Sequence, residues 1–144
     1  ARIKQTDKRH VVDPSLACAL LNASRDILVN DLNTLGFLFE ALCERDLRIY
    51  AESFNGKLYH YQDYDGDEID AVIKLDNGGW VALEIKLASN QIDQAAASLM
   101  KIRDKIADAG GKPPKVLCIV CSICKAAYLR NDGIYVVPIA ALKT

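Results

Sequence analysis

The sequence predicts an α/β domain in which a central sheet is flanked by helices. Residues 68–75 and 80–87 alternate between apolar and polar residues, as strands do. Residues 32 to about 47 and 92–106 repeat apolar residues with the helical period. A continuous apolar run at 116–121 is typical of a strand that is buried on both faces. A chain of 144 residues with 51% hydrophobic content can bury one core, so we expect one compact domain.

The first thirty residues are predicted to form a connector. Pro14 suits the first turn of a short helix within it. The chain begins with Ala1 and has one methionine, Met100, so we expect it to be a piece of a longer protein. The predicted organisation is therefore a connector at 1–30 and a folded domain at 31–144.

The domain is predicted to open with an amphipathic helix over residues 32 to about 47, because Leu35, Phe39 and Leu42 form an apolar stripe. Strand-like segments follow at 47–52 and 57–62. The tyrosines around the second of these segments are predicted to pack rather than to stack on bases. They are Tyr59, Tyr61 and Tyr64.

The two alternating segments, 68–75 and 80–87, are predicted to pair as a hairpin. Their odd positions are all apolar, and their charged residues all fall at even positions. Because side chains alternate along a strand, one face is predicted to be buried and the other to carry Asp70, Glu84 and Lys86.

The turn of this hairpin sets the predicted register. A loop of Asn77-Gly78-Gly79 pairs Asp76 with Trp80. The same register places Asp70 opposite Lys86. Directly opposed residues share a face, so this register predicts that the charged residues converge.

A second long helix is predicted after the hairpin. Ser89 and Asn90 are suitable N-caps, and Gly110-Gly111 is a suitable end. The buried strand at 116–121 follows, and a last strand is predicted at 134–138.

Charge and hydropathy exclude two broad classes. The formal net charge is -1, from 18 basic and 19 acidic residues, so bulk charge does not make this chain a general polyanion binder. No apolar run reaches the ~20 residues of a membrane span. We expect a cytoplasmic protein.

Five cysteines are an odd number, and no secretory marker accompanies them, which predicts reduced thiols. Cys118, Cys121 and Cys124 are spaced by two residues each. An iron–sulfur or zinc site is disfavoured, because residues three apart on a strand point to opposite faces. The only histidines, His10 and His60, are too far apart in sequence to suggest a zinc site.

Two carboxylates and an ammonium on neighbouring strands suit a divalent-metal phosphodiesterase, because carboxylate oxygens bind magnesium. The alternative is a solvated cross-strand ion pair, worth under about 1 kcal/mol. Val72 and Trp80 share the charged face and oppose this alternative, since they imply that a helix covers it.

The pattern of Asp70 followed by Glu84-Ile85-Lys86 resembles the PD-(D/E)XK nuclease superfamily, although Ile69 stands where that superfamily often has proline. The predicted order αβββαβ, in a mixed sheet flanked by helices, is similar to the restriction-endonuclease-like fold. The resemblance covers roughly residues 31 to 138.

The resemblance implies roles for individual residues. Asp70 and Glu84 are expected to bind magnesium or manganese together with the backbone carbonyl of Ile85. Lys86 is expected to orient the attacking water or to stabilise charge on the phosphate. Glu40 is similar to a helix acid that completes the metal site in some members.

Two segments resemble a narrower group, the uncharacterised C-terminal domain of bacterial and archaeal AAA-type ATPases. They are Leu35-Gly36-Phe37-Leu38-Phe39-Glu40 and Gly133-Ile134-Tyr135-Val136-Val137-Pro138-Ile139. The sequence has no phosphate-binding loop, so an ATPase partner is expected upstream in a longer chain.

Two functions stay open at this point. The first is metal-dependent hydrolysis of DNA by a nuclease domain. The second is a catalytically silent module that serves regulation, docking, or binding of nucleic acid or another partner for the ATPase. The sequence leaves the oligomeric state and the shape of the substrate open.

Overall fold

The computed structural model describes residues 11–143, which form a six-stranded mixed sheet with helices on both faces. The α/β class is confirmed. The helices are α1 (Pro14–Leu20), α2 (Arg25–Asn30), α3 (Leu32–Ser53) and α4 (Ile92–Asp108). The strands are β1 (Lys57–Gln62), β2 (Glu68–Lys74), β3 (Trp80–Lys86), β4 (Val116–Cys121), β5 (Tyr128–Leu129) and β6 (Tyr135–Pro138). Two 3₁₀ turns complete the elements, at Ser89–Gln91 and Ile139–Ala141.

The strands lie in the order β1-β2-β3-β4-β6-β5. The first three are antiparallel, β4 is parallel to both β3 and β6, and β5 is antiparallel to β6. The run α3, β1, β2, β3, α4, β4 therefore has the predicted order αβββαβ.

Within the predicted connector, residues 11–30 form α1 and α2. Pro14 opens α1 as predicted, and the Asp13 carboxylate caps the helix by accepting a hydrogen bond from the Ser15 N–H at 2.9 Å. Residues 1–10, which include His10, lie outside the described residues. No helix within residues 11–143 is long and apolar enough to cross a membrane.

Helix α3 is longer than predicted, and the strand expected at 47–52 is wrong. Leu47 and Ala51 are buried and continue the four-residue spacing of Phe39 and Cys43. Burial of this apolar stripe stabilises the helix and outweighs the local β preference of Ile49 and Tyr50.

Helices α3 and α4 cover opposite faces of the sheet. The core beneath α3 contains Ala71, Ile73 and Leu83, which are odd positions of the hairpin. The core beneath α4 contains Ala82, from an even position. The charged face of the hairpin is therefore covered by α4, as predicted from the positions of Val72 and Trp80.

The hairpin register differs from the predicted one by two residues. Lys74, rather than Asp76, pairs with Trp80. The Leu75 N–H donates to the Gly79 carbonyl at 2.8 Å, and Gly78 has a φ of +76°. The loop is thus residues 76–78, with Gly78 in the left-handed region that favours glycine. A slip of two residues keeps every side chain on its face.

A β-bulge in β2 is a second departure. Tyr59 pairs with Val72 and Tyr61 pairs with Ile69, so one residue of β1 faces two residues of β2. The bulge changes the alternation. Ile69 therefore packs in the core beneath α4, and not with the other odd positions.

The start of α4 also differs from prediction. Ser89 and Asn90 lie in a 3₁₀ turn rather than at a helix N-cap. The Gln91 side chain accepts a hydrogen bond from the Ala88 N–H at 3.1 Å. The end of α4 is as predicted, since Gly110 has a φ of +76°.

The cysteines are not all free thiols, which corrects the expectation from the sequence. Cys121 and Cys124 form a disulfide with a Cα–Cα distance of 6.3 Å. An odd count requires only that one thiol stays free, so it could not exclude a short local pair. Cys118 and Cys121 point to opposite faces as predicted, since they belong to the cores beneath α3 and α4.

Thiol counting checks this pairing. Denatured, unreduced protein is expected to show three reactive thiols, Cys18, Cys43 and Cys118. All five are expected after reduction. A thiol reagent measured by absorbance gives both numbers, and five reactive thiols before reduction would contradict the disulfide.

Candidate active site

A cleft of about 380 Å³ lies between the first half of α4 and the neighbouring ends of β2 and β3. Asp70, Glu84 and Lys86 line it. Gln91 and Gln94 also line the cleft, and both are exposed. The cleft therefore combines a charged floor with polar groups at its rim.

The structure brings the three predicted catalytic side chains into direct contact. The Lys86 Nζ lies 3.1 Å from Asp70 Oδ2 and 2.7 Å from Glu84 Oε2. The side chains of Glu84, Asp70 and Lys86 are 7%, 13% and 25% exposed. One ammonium is thus shared by two carboxylates that are largely shielded from bulk water.

The Asp70 carboxylate also binds the backbone of β3. The regular ladder between β2 and β3 has its last pair at Ala71 and Leu83. Beyond it, the Ile85 N–H donates to Asp70 Oδ2 at 2.8 Å. The bulge at this point of β2 thus lets a side chain replace a backbone carbonyl as the partner of β3. Asp70 is fixed by both a backbone amide and an ammonium.

The direction of the Ile85 carbonyl can be inferred from the hydrogen bond that the next residue, Lys86, makes to β4. The Lys86 carbonyl accepts a hydrogen bond from the Ser122 N–H at 3.3 Å, so the peptide groups of Lys86 face β4. Successive residues of a strand direct their N–H and C=O groups to opposite sides. The carbonyl of Ile85 therefore lies on the β2 side, where Asp70 is.

Burial and neighbouring charges shift the pKa values of Glu84 and Lys86. Burial, and then the neighbouring Asp70 carboxylate, raise the pKa of Glu84 to about 7. Burial opposes the charge on Lys86, but Asp70 and Glu84 outweigh it and raise the pKa of Lys86. Lys86 stays charged at neutral pH, while Glu84 titrates there. A second cation beside Glu84 and Asp70 would favour full ionisation of both carboxylates.

Glu40 is placed differently from the other predicted ligands. It lies on α3, whose apolar residues pack on the opposite face of the sheet, and it is not among the residues that line the cleft. Within residues 11–143, no three His, Cys, Asp or Glu side chains are grouped so that they could hold a metal ion. The metal-binding role of Glu40 stays a prediction.

Sequence analysis missed an acid–lysine cluster beside the cleft, formed by Asp63, Asp65, Asp67, Lys101 and Lys105. The Lys105 Nζ lies 2.6 Å from Asp63 Oδ2 and 3.2 Å from Asp67 Oδ2, and it also contacts Asp65. The Lys101 Nζ lies 2.6 Å from Asp67 Oδ1. The signal in the sequence was an Asp at every second position, 63, 65 and 67, together with two lysines four apart on a helix.

Asp63 is the buried member of the acid–lysine cluster, with its side chain 1% exposed. Its Oδ1 accepts hydrogen bonds from the N–H groups of Asp65 at 3.0 Å and Asp67 at 2.9 Å. Burial opposes its ionisation, but the hydrogen bonds from Lys105 and from the Asp67 N–H outweigh that effect and lower the pKa of Asp63. The cluster holds the β1–β2 turn against α4, and Asp67 forms part of the cleft wall.

The fold and the site define a class of protein. It is an α/β domain with a mixed sheet, in which two carboxylates share a lysine where the β2–β3 ladder ends. The chain belongs to the family described as a domain of unknown function (DUF4143), which matches residues 35–142. Neither the search of curated proteins nor the search of solved structures finds a match. The family description assigns no activity, so function has to be argued from the cleft.

Proposed function

We propose that this domain hydrolyses phosphodiester bonds of DNA with the help of a divalent metal. The observation that carries the proposal is the contact of Lys86 with both Asp70 and Glu84 inside one cleft. Carboxylates also share a lysine in the structural acid–lysine cluster, but there the pKa of the buried Asp63 is lowered. In the cleft, two shielded carboxylates share one ammonium, and burial and the Asp70 carboxylate disfavour the ionised form of Glu84.

Magnesium or manganese is the expected metal. The oxygen atoms proposed to bind it are those of Asp70 and Glu84, which line the cleft, and the carbonyl of Ile85, which does not line it but lies on the β2 side of β3. Magnesium commonly binds through one or two carboxylates and keeps several of its waters, so this small set suffices. The raised pKa of Glu84 supports the assignment, because a divalent cation would relieve the repulsion between the carboxylates.

The residues divide the work of hydrolysis. A bound divalent metal supplies positive charge that stabilises the phosphate oxygens and acidifies a bound water. Lys86 adds a second positive charge in the cleft, where it can orient the attacking water or stabilise the negative charge that develops on the phosphate. Asp70 holds Lys86 and the Ile85 N–H in place.

The second candidate is a catalytically silent module, used for regulation, docking, or binding of nucleic acid or another partner. The position of Glu40 outside the cleft favours this candidate, because it leaves two carboxylates where some nucleases of this type have three. In both cases we propose that the domain works as part of a longer chain with an AAA-type ATPase. The sequence resemblance supports that link.

A cleavage assay separates the two candidates. Labelled linear duplex, single-stranded and four-way DNA are incubated with the protein in magnesium or manganese. Lys86→Ala is expected to lower the cleavage rate by about 100-fold or more, since it removes a charge aimed at the phosphate. Lys101→Ala is the matched control, because the Lys101 side chain is 65% exposed and does not line the cleft. Equal rates for both variants, or no cleavage of any substrate, would contradict hydrolysis.

A further inference from the structure

A second cavity, of about 600 Å³, lies on the same face of the hairpin as the cleft, but at the other end of β3. It is open between the first three strands and the last part of α4. We call it the aromatic groove, and its lining includes Tyr59, Val72, Lys74, Trp80, Ile106 and Lys112. Trp80 and Glu84 lie on one face of β3, four residues apart, which is about 13 Å.

Lysines border the aromatic groove, and within residues 11–143 they form no ion pair with a carboxylate. Lys57 and Lys74 are direct cross-strand partners, and Lys74 is in turn paired with Trp80. Like charges directly opposite each other are destabilising in a sheet. All three lysines, including Lys112, are exposed, and none forms an ion pair with a carboxylate in residues 11–143. This arrangement favours an anionic occupant.

None of the aromatic side chains that line the groove is fully buried, although Trp80 packs in part against the core beneath α4. The Trp80 indole N–H donates to the Lys112 carbonyl at 2.9 Å, which fixes the ring beside the loop after α4. Tyr61 packs on the core as predicted, and it also lines the groove. The same prediction is wrong for Tyr59 and Tyr64, which are 50% and 62% exposed, and Tyr59 lines the groove. Flat rings next to unpaired cations match a ligand in which aromatic bases alternate with phosphates.

We infer that the aromatic groove binds single-stranded nucleic acid, with a base against Trp80 or Tyr59 and phosphates at Lys74 and Lys112. This inference deepens the proposed function, on which it rests, by naming the form of the substrate. The faces of bases in a duplex are covered by stacking, so only an unpaired base can enter a groove between strands and a helix. A few nucleotides span the distance to the cleft.

Trp80 makes the test direct, because it is the only tryptophan of the chain. A ten-nucleotide single-stranded DNA is titrated into the protein without divalent metal, and Trp80 fluorescence is followed. Quenching is expected, with an affinity that falls as salt rises. The double variant Lys74→Ala/Lys112→Ala is expected to bind about tenfold or more weakly. Lys143→Ala, which removes an exposed lysine outside the groove, is the control and is expected to bind as the wild type does.

Competing occupants give different results. Equal affinity for a duplex of the same length, or for a mononucleotide, would overturn the single-strand assignment, and so would unchanged binding by the double lysine variant. Glu84→Gln is expected to keep the quenching, because Glu84 lies in the cleft. Binding without cleavage would therefore reject the proposed hydrolysis and leave the groove assignment standing. Cleavage that does not depend on the groove lysines would reject the groove assignment and leave hydrolysis standing.

Discussion

Glu84→Gln is expected to raise the thermal midpoint of the metal-free protein at pH 8, by roughly 10 °C. Burial and the Asp70 carboxylate raise the pKa of Glu84 to about 7, so its ionised form is disfavoured in the folded state. The neutral amide has nearly the same shape and removes that cost, which is about 3 kcal/mol for a shift from 4.5 to about 7. Lys86 keeps Asp70 as its partner. Most substitutions of buried residues destabilise the folded protein. A gain in stability on replacing Glu84 would therefore indicate that the wild-type carboxylate is retained for function rather than for stability.

The dependence of this effect on pH has a definite sign. Between the ordinary value of 4.5 and about 7, folded Glu84 holds a proton that unfolded Glu84 has lost. The folded state therefore binds more protons, and its stability falls as the pH rises through this window. The Gln variant lacks this contribution, so the two proteins are expected to have similar midpoints near pH 5 and different ones at pH 8. Melting curves followed by circular dichroism give both values.

The same variant tests metal binding. Magnesium or manganese is expected to raise the midpoint of the wild type at pH 8, and to have little effect at pH 5, where Glu84 is protonated. Glu84→Gln is expected to lose the stabilisation by metal. Glu68→Gln is the matched control, because Glu68 is an exposed carboxylate that lines the same cleft. Glu40→Gln shows whether the acid of α3 contributes. A metal shift of equal size in all four proteins would contradict the site.

The faces of the hairpin could be predicted from the sequence, but its register could not. Alternation fixes which residues point the same way, and a slip of two residues leaves that unchanged. The register depends on which residues form the turn, and Gly78 and Gly79 both suit a positive φ. The bulge at Asp70 has no local marker such as glycine. It is this bulge that turns a strand residue into a partner of the Ile85 N–H.

Features that depend on distant contacts were missed for a physical reason. Lys105 and Asp63 are 42 residues apart and meet only when α4 packs across the sheet. The strand predicted at 47–52 failed because its local preference is weak, whereas burial of Leu47 and Ala51 stabilises the helix. The cleft itself was accessible to sequence analysis, since its three charged residues lie on two strands that are adjacent in the chain.

Lys105→Met is expected to lower the thermal midpoint by about 10 °C at neutral pH. Methionine keeps the apolar stem of the side chain and removes the ammonium, so the change tests charge more than packing. Asp63, with its side chain 1% exposed, would then keep its charge without its main counterion. Lys101→Met is the matched control on the same helix. The Lys101 side chain is 65% exposed, and within residues 11–143 its ammonium pairs with Asp67 alone. The midpoint of Lys101→Met is therefore expected to fall by about 2 °C or less.

A second substitution distinguishes charge from shape. Adding Asp63→Asn to Lys105→Met is expected to recover most of the lost stability, because the amide oxygen can still accept from the Asp65 and Asp67 N–H groups. The loss in Lys105→Met is also expected to shrink as the pH falls, since an unpaired buried Asp63 takes up a proton more readily. Equal small losses for both lysine variants would show that the cluster is a solvated ion pair. A large loss that Asp63→Asn recovers would show that Lys105 holds the β1–β2 turn on α4, and with it the Asp67 wall of the cleft.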